Sequence, residues 1–178
     1  MKLLRTIQLD PSDSFIFARA AEPGEWAISG AFLFADADPT TFTGKALAAF
    51  RCGFLGVPSL GWSTLVQIVE VDAAQREAAI DSVAQALLAH LGAPDRAAAR
   101  AAAAEEIDFA AALCSHPKDT LIAVHRRAEE GAIRESFRTL HARGDVKGLP
   151  VFSFTESEEE GPDESFDIQD LAGEDAPR

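Results

Sequence analysis

The sequence predicts an α+β fold: a mainly antiparallel sheet of about five strands packed against helices on one face, with an α-helical hairpin and a disordered acidic C-terminal tail. Three observations carry this. Apolar residues alternate between Pro/Gly turns in the first third, two long helical patterns meet at a short Gly-Ala-Pro link in the middle, and acids dominate the end. A chain of 178 residues, 47% of them hydrophobic, can bury a sizeable core. The expected organisation is a single domain over residues 1–154 followed by a tail over 155–178.

Leu3, Ile7 and Leu9 run through a first expected strand, Pro11-Ser12-Asp13 turns the chain, and Phe15 and Phe17 alternate in a second. After the Pro-Gly turn in AAEPGE (20–25), Trp26, Ile28, Phe32 and Phe34 share one parity and suggest a third strand, completing a meander. Asp36, Asp38, Pro39 and Thr40 break it. GKALAAFRCGFLG (44–56) then places Leu47, Phe50, Phe54 and Leu55 at helical spacing, and residues 64–71 read as a strand.

The helix expected over 73–91 has the strongest boundaries. Asp72 followed by Gln75 makes a capping box, Ile80, Val83, Leu87, Leu88 and Leu91 form an apolar stripe, and Gly92 with Pro94 ends it. The alanine-rich stretch 95–117 is helical by propensity and should fold back antiparallel. TLIAVH (120–125) suggests a further strand and GAIRESFRTLHARG (131–144) a final helix presenting Ile133, Phe137 and Leu140 inward.

Charge is unevenly distributed. Of the formal net charge of −13, residues 155–178 hold −9, from ten acidic groups against Arg178 alone. An acidic balance repels phosphate backbones, which argues against nucleic-acid binding. The tail has too little apolar area to offset ordering entropy, so disorder is expected there, although Phe166, Ile168 and Leu171 punctuate it in the manner of short docking segments. Cys52 and Cys114 lack the spacing of a disulfide framework, the N-terminus lacks a secretory pattern, and no apolar run is long enough to span a membrane. A cytoplasmic location without membrane attachment is the expectation.

GVPSLGWS (56–63) approximates a phosphate-binding loop, but Trp62 stands where the lysine belongs and the flanking elements are in the wrong order. The glycines are read as turn residues. A small-molecule pocket lined by Gly53, Gly56, Gly61, Trp62 and Ser63 is the alternative, since loops with an aromatic residue often carry function. Cys114 and His116 are adjacent enough to suggest a nucleophile and base, but a helix C-terminus disfavours a thiolate, and a buried structural cysteine is the simpler reading. No metal-ligand spacing and no cofactor motif is present. Arg134, Arg138 and His141 fall on one stripe of the expected last helix, with Arg126 and Arg127 upstream. That stripe is either a solvated flank or an anion and partner site onto which the tail could fold back.

The block MKLLRTIQLDPSDSFIFARAAEPGEWAISGAFLF, with GFLGVPSLGWSTL and HPKDTLIAV, resembles a family of small uncharacterised alphaproteobacterial proteins, a domain of unknown function, over roughly residues 1–145. The resemblance implies no catalytic residues. It does imply an accessory role, with a link to redox-enzyme maturation. The expected function is accordingly a non-catalytic binding or assembly module that contacts another protein through the tail motif (Phe166, Ile168, Leu171) and the arginine stripe. A small-molecule binder or enzyme at residues 53–63 is the alternative.

Overall fold

The computed structural model describes residues 1–129 and 131–140. Lys2–Ile7 (β1) pairs antiparallel with Leu65–Glu70 (β5) along its whole length, from Lys2 opposite Glu70 to Ile7 opposite Leu65. Leu4, Thr6, Val66 and Ile68 from this ladder are all buried. On the other side of β1 lie Trp26–Ile28 (β2), Phe54–Val57 (β3) and Trp62–Ser63 (β4), each antiparallel to its neighbour. Leu121–Glu129 (β6) and Ala132–Leu140 (β7) extend the sheet beyond β5. The order is β4-β3-β2-β1-β5-β6-β7, so the described sheet has seven strands, not about five.

The sheet curls because β4 and β5 are one stretch of chain interrupted only by Thr64. β4 pairs with β3 and β5 with β1, which brings the two sides of β1-β2-β3 round toward each other. The bend is pinned by side chains. The Ser63 hydroxyl donates to the Leu65 and Ile7 carbonyls at 2.7 and 3.2 Å, and the Thr64 hydroxyl and amide donate to the Asp13 carboxylate at 2.9 and 3.2 Å.

That buried carboxylate explains one departure from the sequence expectation. Ser12–Ile16 is a single helical turn (α1), not the start of a second hairpin strand. The turn points Asp13 inward to Thr64 and delivers Phe17 to the core, leaving Phe15 exposed. Residues 26–35 also depart. The strand ends at Ile28, and Gly30, with φ +74°, turns the chain into a 3-10 helix over Ala31–Phe34. Gly30 backs onto Leu55 and the Trp62 ring with no room for a side chain, which a continuous strand could not accommodate.

Gly44–Cys52 (α2) stops at Gly53, and the apolar run continues as β3, buried at every position. Ala73–His90 (α3) and Arg96–Ala112 (α4) form the expected antiparallel hairpin. The capping box is present: the Asp72 carboxylate accepts from the Gln75 amide at 2.8 Å and the Gln75 side chain accepts from the Asp72 amide at 2.9 Å. Across the two helices Arg76 pairs with Asp108 at 2.5 Å, and Arg100 bridges Glu77 and Asp81. Their alanine faces pack closely, with Ala79, Ala99, Ala103 and Ala110 fully buried.

The largest correction concerns the segment after Gly131. It is strand β7, paired with β6 from Glu129 opposite Ala132 to Leu121 opposite Leu140, where the sequence suggested a helix over 131–144. Ile133 and Phe137 are four apart, a spacing that shares a face in a helix and in a strand alike. Leu140 completed the helical pattern, but in the strand it lies on the face opposite Phe137. Phe137 packs between Phe54 and Phe109, with ring centroids 6.1 and 6.0 Å away.

Two glycine substitutions separate conformational from steric cost. At Gly92 an added Cβ meets open space but the residue has φ +74°, so Gly92→Ala should cost about 1–2 kcal/mol. At Gly61 the Cβ would lie 2.4 Å from the Ala20 carbonyl oxygen, which is backbone and cannot swing away. Gly61→Ala should therefore lower the urea midpoint clearly more than Gly92→Ala; equal shifts would contradict the packing described.

Candidate functional site

The glycine corner at residues 53–63 is assembled by the β3–β4 hairpin. The Gly56 amide donates to the Gly61 carbonyl at 2.8 Å and the Leu60 amide to the Gly56 carbonyl at 3.0 Å, closing a tight turn. The loop does hold an anion, and it is the protein's own. The Ser59 amide and hydroxyl donate to the Glu25 carboxylate at 3.1 and 2.6 Å, and the Gly61 amide donates to the Ser59 hydroxyl at 3.0 Å.

Gly53, Gly56, Gly61, Trp62 and Ser63 are thus brought together, but the space beside the glycines is filled. A Cβ on Gly56 would meet Glu25 and Ala21 at 2.5 and 2.6 Å, and one on Gly53 would meet the Trp62 ring at 2.7 Å. Trp62 is half-buried and stacks on Phe34, centroids 5.4 Å apart at 26°. Phe34 in turn meets Phe42 and Phe50 edge-on. The indole is part of an aromatic cluster with Phe17. Two surface concavities lie between α3 and α4 and beside the N-terminus.

A second polar centre is one that sequence reasoning missed. Arg126 on β6 is completely buried, and all five of its N–H groups are engaged. Nε donates to Glu135 at 2.7 Å, Nη1 to the Gly53 and Phe50 carbonyls at 2.6 and 3.2 Å, and Nη2 to the carbonyl and hydroxyl of Ser29 at 2.5 and 3.1 Å. The Ser29 hydroxyl donates to the same Glu135 oxygen at 2.5 Å. Two of the acceptors are carbonyls at the C-terminal end of α2, where the helix dipole favours a cation. The signal was present in the strand parity: Ile122, Val124 and Arg126 are successive residues of one face, so an inward arginine followed once the strand was extended past His125.

Glu106 on α4 adjoins this centre. Burial pushes its carboxyl up to about 7, with Glu135 and Glu105 adding to the effect and Arg126 opposing it. The guanidinium has all five donors engaged, so the arrangement locks these elements together. Burial likewise raises Cys114 to about 11; its thiol donates to the Ala110 carbonyl at 3.2 Å. Cys52 is also pushed up, by burial and by Asp13. Neither thiol is poised as a thiolate. Among the described residues no group of three or more His, Cys, Asp or Glu side chains is placed to hold a metal ion.

Of the arginines grouped in the sequence, Arg127, Arg134 and Arg138 are brought to one surface, by a strand rather than a helix, whereas Arg126 is buried on the opposite face. On β7, Arg134 and Arg138 share the outward parity, and the β6 ladder sets Arg127 directly opposite Arg134 and His125 opposite Ser136. Arg127, Arg134, Arg138 and His125 are all exposed. Glu129 lies on the same face, 3.6 Å from Arg134. Partial burial, then Arg127, Arg138 and Arg51, lowers the His125 pKa. His141, Phe166, Ile168 and Leu171 lie outside the described residues.

Two measurements test the buried centre. Arg126→Met leaves Glu135 and three backbone carbonyls without their donor, and should cost about 3–5 kcal/mol, the usual consequence of breaking a buried pair. Arg126→Lys should rescue little of this, because one ammonium cannot reach acceptors on both sides of a planar fork. For Glu106 the folded carboxyl, at about 7, holds a proton that the unfolded chain releases near its ordinary 4.5. Stability should fall as pH rises through that window and level off above it, and Glu106→Gln should flatten the slope in urea titrations from about pH 5 to about pH 8.

Comparison with known proteins adds a family and no assigned activity. No curated protein and no solved structure matches the chain. One family model does match, over residues 1–157, a span that takes in the whole described sheet and both long helices. The chain belongs to that family, a family of unknown function (DUF6505).

Proposed function

We propose that this chain is a non-catalytic binding or assembly module that docks another protein through the outward face of the β6–β7 hairpin. The observation that supports the reading is the row formed by Arg127, Arg134 and Arg138 on one exposed face of a chain whose formal net charge is −13. Like charges directly opposite on a sheet destabilise it, so the Arg127–Arg134 pairing favours an anionic counterpart. Guanidinium forks pair bidentately with carboxylates, which makes an acidic protein surface or peptide the fitting partner. Nucleic acid is disfavoured by the charge of the rest of the chain. The role we infer is accessory: the chain offers a recognition face, in keeping with assistance to the assembly of another protein. The alternative, a ligand site at Gly53, Gly56, Gly61, Trp62 and Ser63, has weaker support because the chain itself occupies the space there.

The test is capture from the native host by the full chain beside the triple variant Arg127→Glu, Arg134→Glu, Arg138→Glu. Wild type should retain a partner at low salt and release it as salt rises, and the triple variant should lose at least about tenfold in affinity while melting within a few degrees of wild type. Recovery of the same proteins by both forms would end this reading.

A further inference from the structure

We propose that the seam between α4 and β7 is a proton-operated latch: it stays closed while Glu106 is neutral and parts, with Phe109 leaving Phe137, when Glu106 ionises. Aromatic contacts place the two elements. Phe109 of α4 meets Phe137 of β7 with ring centroids 6.0 Å apart, and Phe137 meets Phe54 at 6.1 Å. Glu106 lies one turn before Phe109 on the same side of α4, and Glu135 lies two residues before Phe137 on the same face of β7. Helix and strand thus each carry a carboxyl and a ring, and the two carboxyls come together beside the two rings.

The groups around Glu106 decide which state the seam holds. Glu105 on its own helix and Glu135 on β7 oppose its ionisation, and Arg126 on β6 favours it. Arg126 offers no hydrogen bond in return, because its N–H groups are engaged by Glu135, Ser29, Phe50 and Gly53. Cys52 of α2 adjoins Arg126, its thiol raised by burial and therefore uncharged near neutral pH. Among the described residues no hydrogen bond or ion pair meets the Glu106 carboxyl, which is half-buried. Burial first, then Glu135 and Glu105, push it up to about 7. The closed seam therefore holds a proton that an open one releases, and it loses that stabilisation as pH rises through about 7.

The movement is a small roll of α4. Ala103, Ile107 and Ala110 on the inner side of the helix are buried and stay packed, whereas Phe109 is already 41% exposed and is the weaker restraint. An ionised Glu106 gains hydration by leaving the gap, and Phe109, three residues on, is carried with it. The Arg126–Glu135 pair on the sheet side keeps its place. What the parted seam uncovers is the ring of Phe137, so the apolar surface beside the hairpin grows above neutral pH.

The test is NMR on the full chain, isotope-labelled at phenylalanine rings and glutamate carboxyls, from about pH 5.5 to about pH 8.5. Cross-peaks between the Phe109 and Phe137 rings should fade as the Glu106 carboxyl titrates, with one shared midpoint at about 7, while those between Phe54 and Phe137 persist. Glu106→Gln, equal in size and always neutral, should keep the Phe109–Phe137 cross-peaks across the range. Glu105 is exposed, so Glu105→Gln keeps the fold, and by removing one like charge it should move both midpoints to lower pH. Cross-peaks that survive while Glu106 ionises overturn the latch. So does the same loss in Glu106→Gln, or a Glu106 carboxyl that titrates near its ordinary 4.5.

Discussion

Arg126 is the interaction on which the arrangement of this molecule depends. Its guanidinium spans the last turn of α2, the residue following β2 and the middle of β7, joining elements far apart in the chain through one planar fork. A buried charge is costly unless every donor is matched, and here each N–H has an acceptor. The alternative positions available to β6 would each strand this charge. Side chains alternate along a strand, so a slip of one residue would expose Arg126 and turn Arg127 inward. The buried fork therefore sets the register of the hairpin, and with it the identity of the outward residues.

The other end of the sheet is fixed by a different economy of polar groups. Where β4 passes into β5 the backbone must change partners, and the groups released by the change are met by Ser63, Thr64 and Asp13. At the neighbouring turn the Glu25 carboxylate is the anion that the loop holds. Trp62 lies where these parts meet, against Gly30 and Gly53 on one side and Phe34 on the other. Glycine is needed there for want of space rather than for access. A glycine-rich loop can mark a ligand's approach or the chain's own, and only the neighbours in space distinguish the two.

The same distinction governs what could be read from the sequence. The α3–α4 hairpin was legible because its signals are local: a capping box, an unbroken apolar stripe, and a Gly-Ala-Pro link. The inward position of Cys114 was legible too, because an unpaired cysteine packs as a small hydrophobe. β3 was not, since Phe54 and Leu55 continue the apolar spacing of α2 and the boundary at Gly53 is imposed by the Trp62 ring. α1 escaped notice because its purpose is to deliver Asp13 to Thr64, fifty-one residues away. In β7 the residues Ile133 and Phe137 satisfy both periods, and the deciding information is the partner strand. Arg134 and Arg138 were rightly grouped, because a spacing of four preserves a shared face in either element; that Arg127 joins them while Arg126 turns inward depends on the ladder.

Stability and surface charge are coupled through this ladder. The pairing that buries Arg126 beside Glu135 also sets Arg127 against Arg134, so the favourable and unfavourable contacts are adjacent rungs of the same hairpin. The chain cannot relieve the outer repulsion by shifting register without exposing the inner charge. An anion that settles on the outer face removes the repulsion without disturbing the inner network, and anything that binds the folded hairpin in preference to the unfolded chain stabilises it by mass action. The buried arginine thereby fixes the positions of the exposed ones.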